Sequence, residues 1–246
     1  MNPSCELHVT WMLSETAPSD ILAESGRWLD SGERERAARF ARTTDARAFV
    51  LGRWLARRAL ADSSGTRPDA WTFEIGAHGK PVGRGPTATA PAFNLSHGGG
   101  IVACVVTTAS DSSVGIDVEA IERRLPGRRL ERFLTTRELE ALGPESDPDH
   151  TVRFWRIWTL KEAALKAAGT GVAGTLVAAE IDLDAAGGPR VRAGRPLTDL
   201  QLLEVPLAPT HCTAIAVDAP PGTAARLASL RHVSEPPRDA SRRGRT

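Results

Sequence analysis

The chain has 246 residues, 41% of them hydrophobic and 25% charged, and 31 basic against 30 acidic side chains leave a net charge of +1. That composition is ordinary for a folded globular protein, and the charge balance speaks against a global field that would select a polyanion such as nucleic acid. A chain near 250 residues is close to the upper limit for a single core, so two lobes are expected.

Cys5, Cys104 and Cys212 are far apart, with no CxxC or Cys/His cluster. Neither a zinc site nor a disulfide framework is indicated, and a reducing cytoplasm is the expected location. The segment MNPSCELHVTWML lacks a basic start and a long apolar run, so no secretory leader is expected. No apolar stretch approaches the roughly 18 residues that span a membrane.

Residues 6–12 alternate loosely and predict a first strand. Helical spacing follows over 21–29 and again from Glu33 to Leu60, with a break near Thr43–Asp45, where Asp45 could cap the second helix. The many arginines between Glu33 and Arg58 read mainly as a solvated helix face, some of them able to hold a phosphate. WTFEIG (71–76) predicts a short strand, and GAHGKPVGRGP reads as a loop. PAFNLSHGGG leads into the β-branched strand IVACVVTTA. DSS at 111–113 is read as the turn of a hairpin with VGIDVEAI.

Thr135 and Glu138 form a capping-box signature. FWRIWTLKEAALKAAG (154–169) predicts the strongest helix, ended by Gly169, and strands are expected around VAAEIDL, PRVRA, LQLLEV and HCTAIAV. From Ala219 the composition shifts to Pro, Gly, Ser and Arg, and 234–246 reads as a disordered tail.

Four segments could carry chemistry. On a strand over 114–119, Asp117 and Glu119 share one face while isoleucine and valine form the other. Adjacent carboxylates repel unless a cation or strong donors separate them, and magnesium suits such a pair; an edge strand with a solvated acidic face is the plain alternative. On the helix after Trp158, Glu162 and Lys166 stand at i and i+4 on the face of Trp158 and Leu165. They read either as a surface ion pair or as partly desolvated groups working on a charged ligand. FNLSHGGG (93–100) sets Ser96 and His97 at a glycine-rich turn, an arrangement suited to an anion. A serine hydrolase is disfavoured, because adjacent residues cannot supply nucleophile and base to one point and the G-x-S-x-G elbow is missing. Gly79-Lys80-Pro81 holds a lysine on a stiff turn, a candidate phosphate or adenine contact; neither GxxxxGK[ST] nor GxGxxG occurs.

Taken in order, ERERAARF, GKP, FNLSHGGG, VGIDVE and FWRIWTLKEAALKAAGTGV resemble the 4′-phosphopantetheinyl transferases that activate peptide and polyketide synthetase carrier proteins. The resemblance covers roughly residues 30–215. It implies an α+β fold of two similar lobes with a pseudo-twofold relation, each with helices on a small, mostly antiparallel sheet. The lobes would span 1–112 and 113–218, followed by a Pro/Arg-rich tail over 219–246. Smaller relatives place their sites between subunits; this chain would build that cleft internally, as a monomer.

The resemblance further implies transfer of 4′-phosphopantetheine from coenzyme A to a serine of an apo acyl or peptidyl carrier, giving 3′,5′-ADP. Asp117, Glu119 and Glu162 would bind Mg2+. Glu162, Lys166, Asp117 and His97 would form the catalytic set. Arg36, Lys80, Pro81, Asn94, Ser96, His97, Asp117, Lys161, Glu162 and Lys166 would contact coenzyme A. Glu33 stands where some members carry a lysine, and Glu138 where some carry a glutamate near the site. Arginines around 123–132, Arg128 and Arg129 among them, could dock an acidic carrier helix. The competing reading is another magnesium-dependent phosphotransferase or phosphohydrolase acting on a nucleotide pyrophosphate. Nucleic-acid binding by the Arg-rich tail is disfavoured, since the tail lacks aromatics to stack on bases.

Overall fold

The computed structural model describes residues 4–76, 79–121, 125, 130–169, 176–183, 187–193 and 197–234. Arg128, Arg129 and the end of the tail lie outside the described residues.

Strand β1 (Ser4–Leu13) is followed by helices α1 (Ser19–Trp28), α2 (Ser31–Ala38) and α3 (Thr43–Ser64). A hairpin of β2 (Thr72–Ile75) and β3 (Pro81–Arg84) leads to β4 (Ala92–Gly98) and β5 (Ile101–Thr107). The second half runs β6 (Ser113–Ala120), α4 (Thr136–Leu142), α5 (His150–Ala168), β7 (Glu180–Asp182), β8 (Arg190–Ala193), β9 (Gln201–Glu204) and β10 (His211–Asp218). Strand β11 (Ala224–His232) comes last.

Two sheets form, in the orders β11-β1-β5-β4 and β6-β10-β9-β8-β7. The order β1-β5-β4 is repeated as β6-β10-β9, antiparallel throughout, and each set includes a long helix, α3 or α5. This is the expected α+β pair of similar lobes. Side-chain alternation explains the layering. Along β5, Ile101, Ala103 and Val105 point into a core shared with Val114, Ile116 and Val118 of β6 and Ile215 and Val217 of β10. Val102, Cys104 and Val106 point the other way, onto Leu51, Trp54 and Leu55 of α3. Ala214 and Ala216 of β10 likewise meet Ile157, Leu160 and Ala164 of α5. The order of layers is helices, sheet, sheet, helices.

Four expectations are corrected. Strand β5 does not form a hairpin with β6: it pairs with β1 and β4, while β6 pairs with β10. Both strands are buried on both faces, so their apolar runs carry no sign of which neighbour they choose. Pro81–Arg84 is not loop but the strand β3, where proline is tolerated as the first residue. The break between helices falls at 39–42, so Asp45 sits within the first turn of α3, and no side chain caps that helix. The arginine-rich stretch is not wholly solvated. Arg53 is 4% and Arg57 1% exposed, both ion-paired to buried Glu33. Glu33 also closes a capping box with Asp30, and Phe73 packs under both guanidinium groups. Beyond these, the stretch after Ala219, expected to be a tail, contributes the strand β11, which pairs in parallel with β1.

Candidate functional site between the two sheets

The site begins with a close approach of α5 to β6. A Cβ on Gly115 would lie 2.1 Å from the Ala163 carbonyl oxygen and 2.5 Å from the Ala167 nitrogen, so only glycine lets the helix sit this low on the strand. Asp117 projects from the same face of β6, two residues on. Glu162 and Lys166, one helical turn apart, come from the part of α5 that lies over it. Gly98 does the same for the other wall: a Cβ there would lie 2.1 Å from the Val118 carbonyl oxygen, so the end of β4 is pressed against β6.

Three polar side chains then converge. The Lys166 ammonium donates to Asp117 Oδ1 at 2.6 Å, to the Ile116 carbonyl at 3.1 Å and to Ser96 Oγ at 3.2 Å. Ser96 Oγ donates to the same Asp117 oxygen at 2.9 Å and accepts from the Val118 amide at 3.3 Å. Asp117 is 4% exposed, and its second oxygen, Oδ2, is buried with no hydrogen-bond partner. An orphaned carboxylate oxygen in such a place is a strong demand for a cation or donor. Glu162 is also buried. Burial first, and the neighbouring Asp117 charge second, push its pKa up to about 7, with Lys166 opposing. One ammonium therefore lies close to two carboxylates, and burial beside Asp117 favours the neutral form of Glu162.

Asp117 and Glu162 are thus two buried carboxylates close enough for the charge of one to raise the pKa of the other. Among the described residues no group of three His, Cys, Asp or Glu side chains is gathered closely enough to hold a metal. The expected set of three carboxylates is not assembled. Glu119 is placed along the β4–β5 turn, its Oε2 3.0 Å from where a Gly98 Cβ would be.

The other expected residues divide. His97 is exposed beside this cluster. Desolvation and then the Lys166 charge lower its imidazole pKa, against the opposing carboxylates of Asp45 and Asp117. Asn94 is buried and accepts from the Ile116 amide at 3.0 Å, stitching β4 to β6 across the lobes. Arg36 is exposed on α2 over the Phe49 ring, and Pro81 begins β3. Lys80 turns inward: its ammonium donates to the carbonyls of Lys166 at 3.0 Å and Val114 at 3.2 Å.

Lys161 is the clear misplacement. It is 1% exposed, ion-paired to Glu138 at 2.5 Å, and donates to the carbonyls of Phe133 and Leu176. A coenzyme cannot reach it. Glu138 is fully buried, closes the expected capping box with Thr135, and accepts from the Ile181 amide at 2.7 Å. These two residues hold the second lobe together.

A family model described as the 4′-phosphopantetheinyl transferase superfamily matches residues 113–216, and one described as 4′-phosphopantetheinyl transferase, N-terminal, matches residues 16–109. The 4′-phosphopantetheinyl transferase HetI of Nostoc sp. is 34% identical over 175 residues, covering 69% of this chain and 71% of that protein. A phosphopantetheinyl transferase of Thraustochytrium sp. is 30% identical over 204 residues, covering 77% and 70% respectively. A 4′-phosphopantetheinyl transferase of Bacillus subtilis is 31% identical over 142 residues, covering 57% and 60%. Two consecutive family matches and relatives of this identity and coverage place the chain in the 4′-phosphopantetheinyl transferase superfamily.

Proposed function

We propose that the chain, acting as a monomer in a reducing cytoplasm, moves 4′-phosphopantetheine from coenzyme A to a serine of an acyl or peptidyl carrier protein. The observation that carries the site assignment is the buried, unpartnered Asp117 Oδ2 beside Lys166 and Glu162. A pyrophosphate needs a site of this kind, with cationic charge held rigidly where its own charge changes.

Magnesium fits the residues present: it takes one or two carboxylates, here Asp117 and Glu162, and leaves its other positions to water and phosphate. When bound, it neutralises charge developing on the pyrophosphate. Glu119 is close in sequence but is not required by this reading.

The serine hydroxyl attacks the β-phosphorus of coenzyme A. A new serine O–P bond forms, the bond to the bridging oxygen breaks, and 3′,5′-ADP leaves. The serine proton passes to Glu162, directly or through one water, and Lys166 neutralises the departing oxygen. A carboxylate that would hold magnesium is a weak base, so the relay through one water is the favoured route. His97 and Arg36, both exposed, are assigned to the phosphates of the nucleotide end. Ser96 holds Asp117 and Lys166 in register.

The cleft is drawn between lobes 1–112 and 113–218, and both walls come from one chain, which supports a monomer. Cys5, Cys104 and Cys212 are free and buried, which supports a reducing compartment. No helix among the described residues is long and apolar enough to cross a membrane. Arg128 and Arg129 are proposed, from charge alone, as the carrier-docking residues.

Intact mass spectrometry of apo-carrier proteins incubated with coenzyme A and magnesium tests the reading. A mass gain of one phosphopantetheine is expected; release of free phosphate with no carrier gain would overturn it.

A further inference from the structure

Lys80 stands at the tip of the β2–β3 hairpin, where Gly79 (φ +79°) and the bond from the Gly76 amide to the Lys80 carbonyl at 2.8 Å shape the turn. Its ammonium reaches out of the first lobe into the second. There it meets two backbone carbonyls from different elements, Lys166 at 3.0 Å and Val114 at 3.2 Å. Burial lowers its pKa, in keeping with a head group turned away from water.

The carbonyl of Lys166 belongs to the last turn of α5, where helical acceptors have no partner within the helix. The neighbouring acceptors are also satisfied. Ser113 Oγ donates to the Ala167 carbonyl at 2.7 Å, and the Gly169 amide bonds back to Leu165 and Lys166. A cation at a helix C-terminus is favoured by the helix dipole as well. Val114 lies just before Gly115, the point at which α5 rests on β6. Lys80 therefore bolts together the strand that carries Asp117 and the helix turn that carries Lys166.

We propose that Lys80 is a positioning residue: its side chain fixes the last turn of α5, and with it the Lys166 ammonium, rather than contacting the coenzyme. The functional half of this assignment rests on the role given above to Lys166. The structural half does not.

Lys80→Met keeps the shape of the stem and removes the donors. In the full chain, kcat should fall about tenfold or more while KM for coenzyme A stays within about twofold, since a small displacement of a reacting group costs rate rather than binding. Peptide mass spectrometry after reductive methylation should show Lys166 labelled several-fold faster in Lys80→Met than in wild type. Lys80→Arg, which keeps the donors, should restore slow labelling and most of kcat.

A rise in KM for coenzyme A with kcat unchanged would make Lys80 a nucleotide ligand and overturn the proposal. So would unchanged labelling of Lys166. If Lys80→Met does not fold, Lys80→Ala, which also lacks the donors, carries the same comparison. The labelling result stands even if no carrier protein is modified, so failure of this inference is distinguishable from failure of the proposed reaction.

Discussion

The backbone of Ala163 occupies the space that a side chain at position 115 would need. A β-carbon on Gly115 would approach the Ala163 carbonyl to 2.1 Å, well inside any real contact. The distance between α5 and β6, and with it the spacing of Asp117, Glu162 and Lys166, is set by one missing methyl group.

Gly115→Ala should therefore lift α5 off the strand. The expected cost is about 1–3 kcal/mol of stability, as for other overpacked interiors. The loss of transfer rate should be larger in proportion, up to about a hundredfold. Thermal melts and single-turnover rates of the same preparation separate the two effects. A variant that is destabilised yet fully active would show that the approach serves packing alone.

Asp117→Asn keeps the shape of the side chain and removes its charge. Circular dichroism should remain that of wild type, and carrier modification should fall at least about a hundredfold, as when a group that stabilises transition-state charge is deleted. Retention of even a tenth of the rate would remove Asp117 from the centre of the reaction.

Glu162 makes a signed pH prediction. In the folded chain it holds its proton to about pH 7, against an ordinary value of 4.5. Between those values the folded state binds more protons than the unfolded one, so stability falls as pH rises through this window and is level above it. Glu162→Gln stays neutral throughout. In metal-free buffer at pH 8 it should be more stable than wild type by on the order of 1–3 kcal/mol, and the advantage should vanish near pH 4. It should also lose transfer activity. Equal melting temperatures at pH 8 would mean that Glu162 carries no such burden.

Lys161 and Glu138 form a buried pair. Lys161→Met alone strands a buried carboxylate and should cost about 3–5 kcal/mol, while the double variant Lys161→Met/Glu138→Gln should recover part of that loss. Urea unfolding of the four proteins in the cycle measures the coupling. Additive losses would contradict a direct pair.

Much of this architecture could be read from local pattern. The alternation in VGIDVE separated the face of Asp117 and Glu119 from the apolar face, and the i, i+4 spacing of Glu162 and Lys166 put them on one helix face. Thr135 with Glu138, and Gly169, marked helix ends that the structure has. What failed was long-range. Lys161 and Lys166 look alike in sequence, but five residues turn a helix by about 140° past a full circle, and that rotation sends one into the core. Glu33 meets Arg53 and Arg57 across more than twenty residues, so their burial had no local signature. The exposed face of β11 lacks the apolar alternation by which strands are recognised.

The last strand also fastens the molecule to its own beginning. β11 lies along β1, and the Val233 amide bonds to the Trp11 carbonyl at 2.8 Å. Cutting the chain between its halves would strip β1 of this neighbour and bare a row of amides and carbonyls, a template for aggregation. Dissection into independently soluble pieces therefore calls for a circular permutant that keeps β11 beside β1, not for truncation.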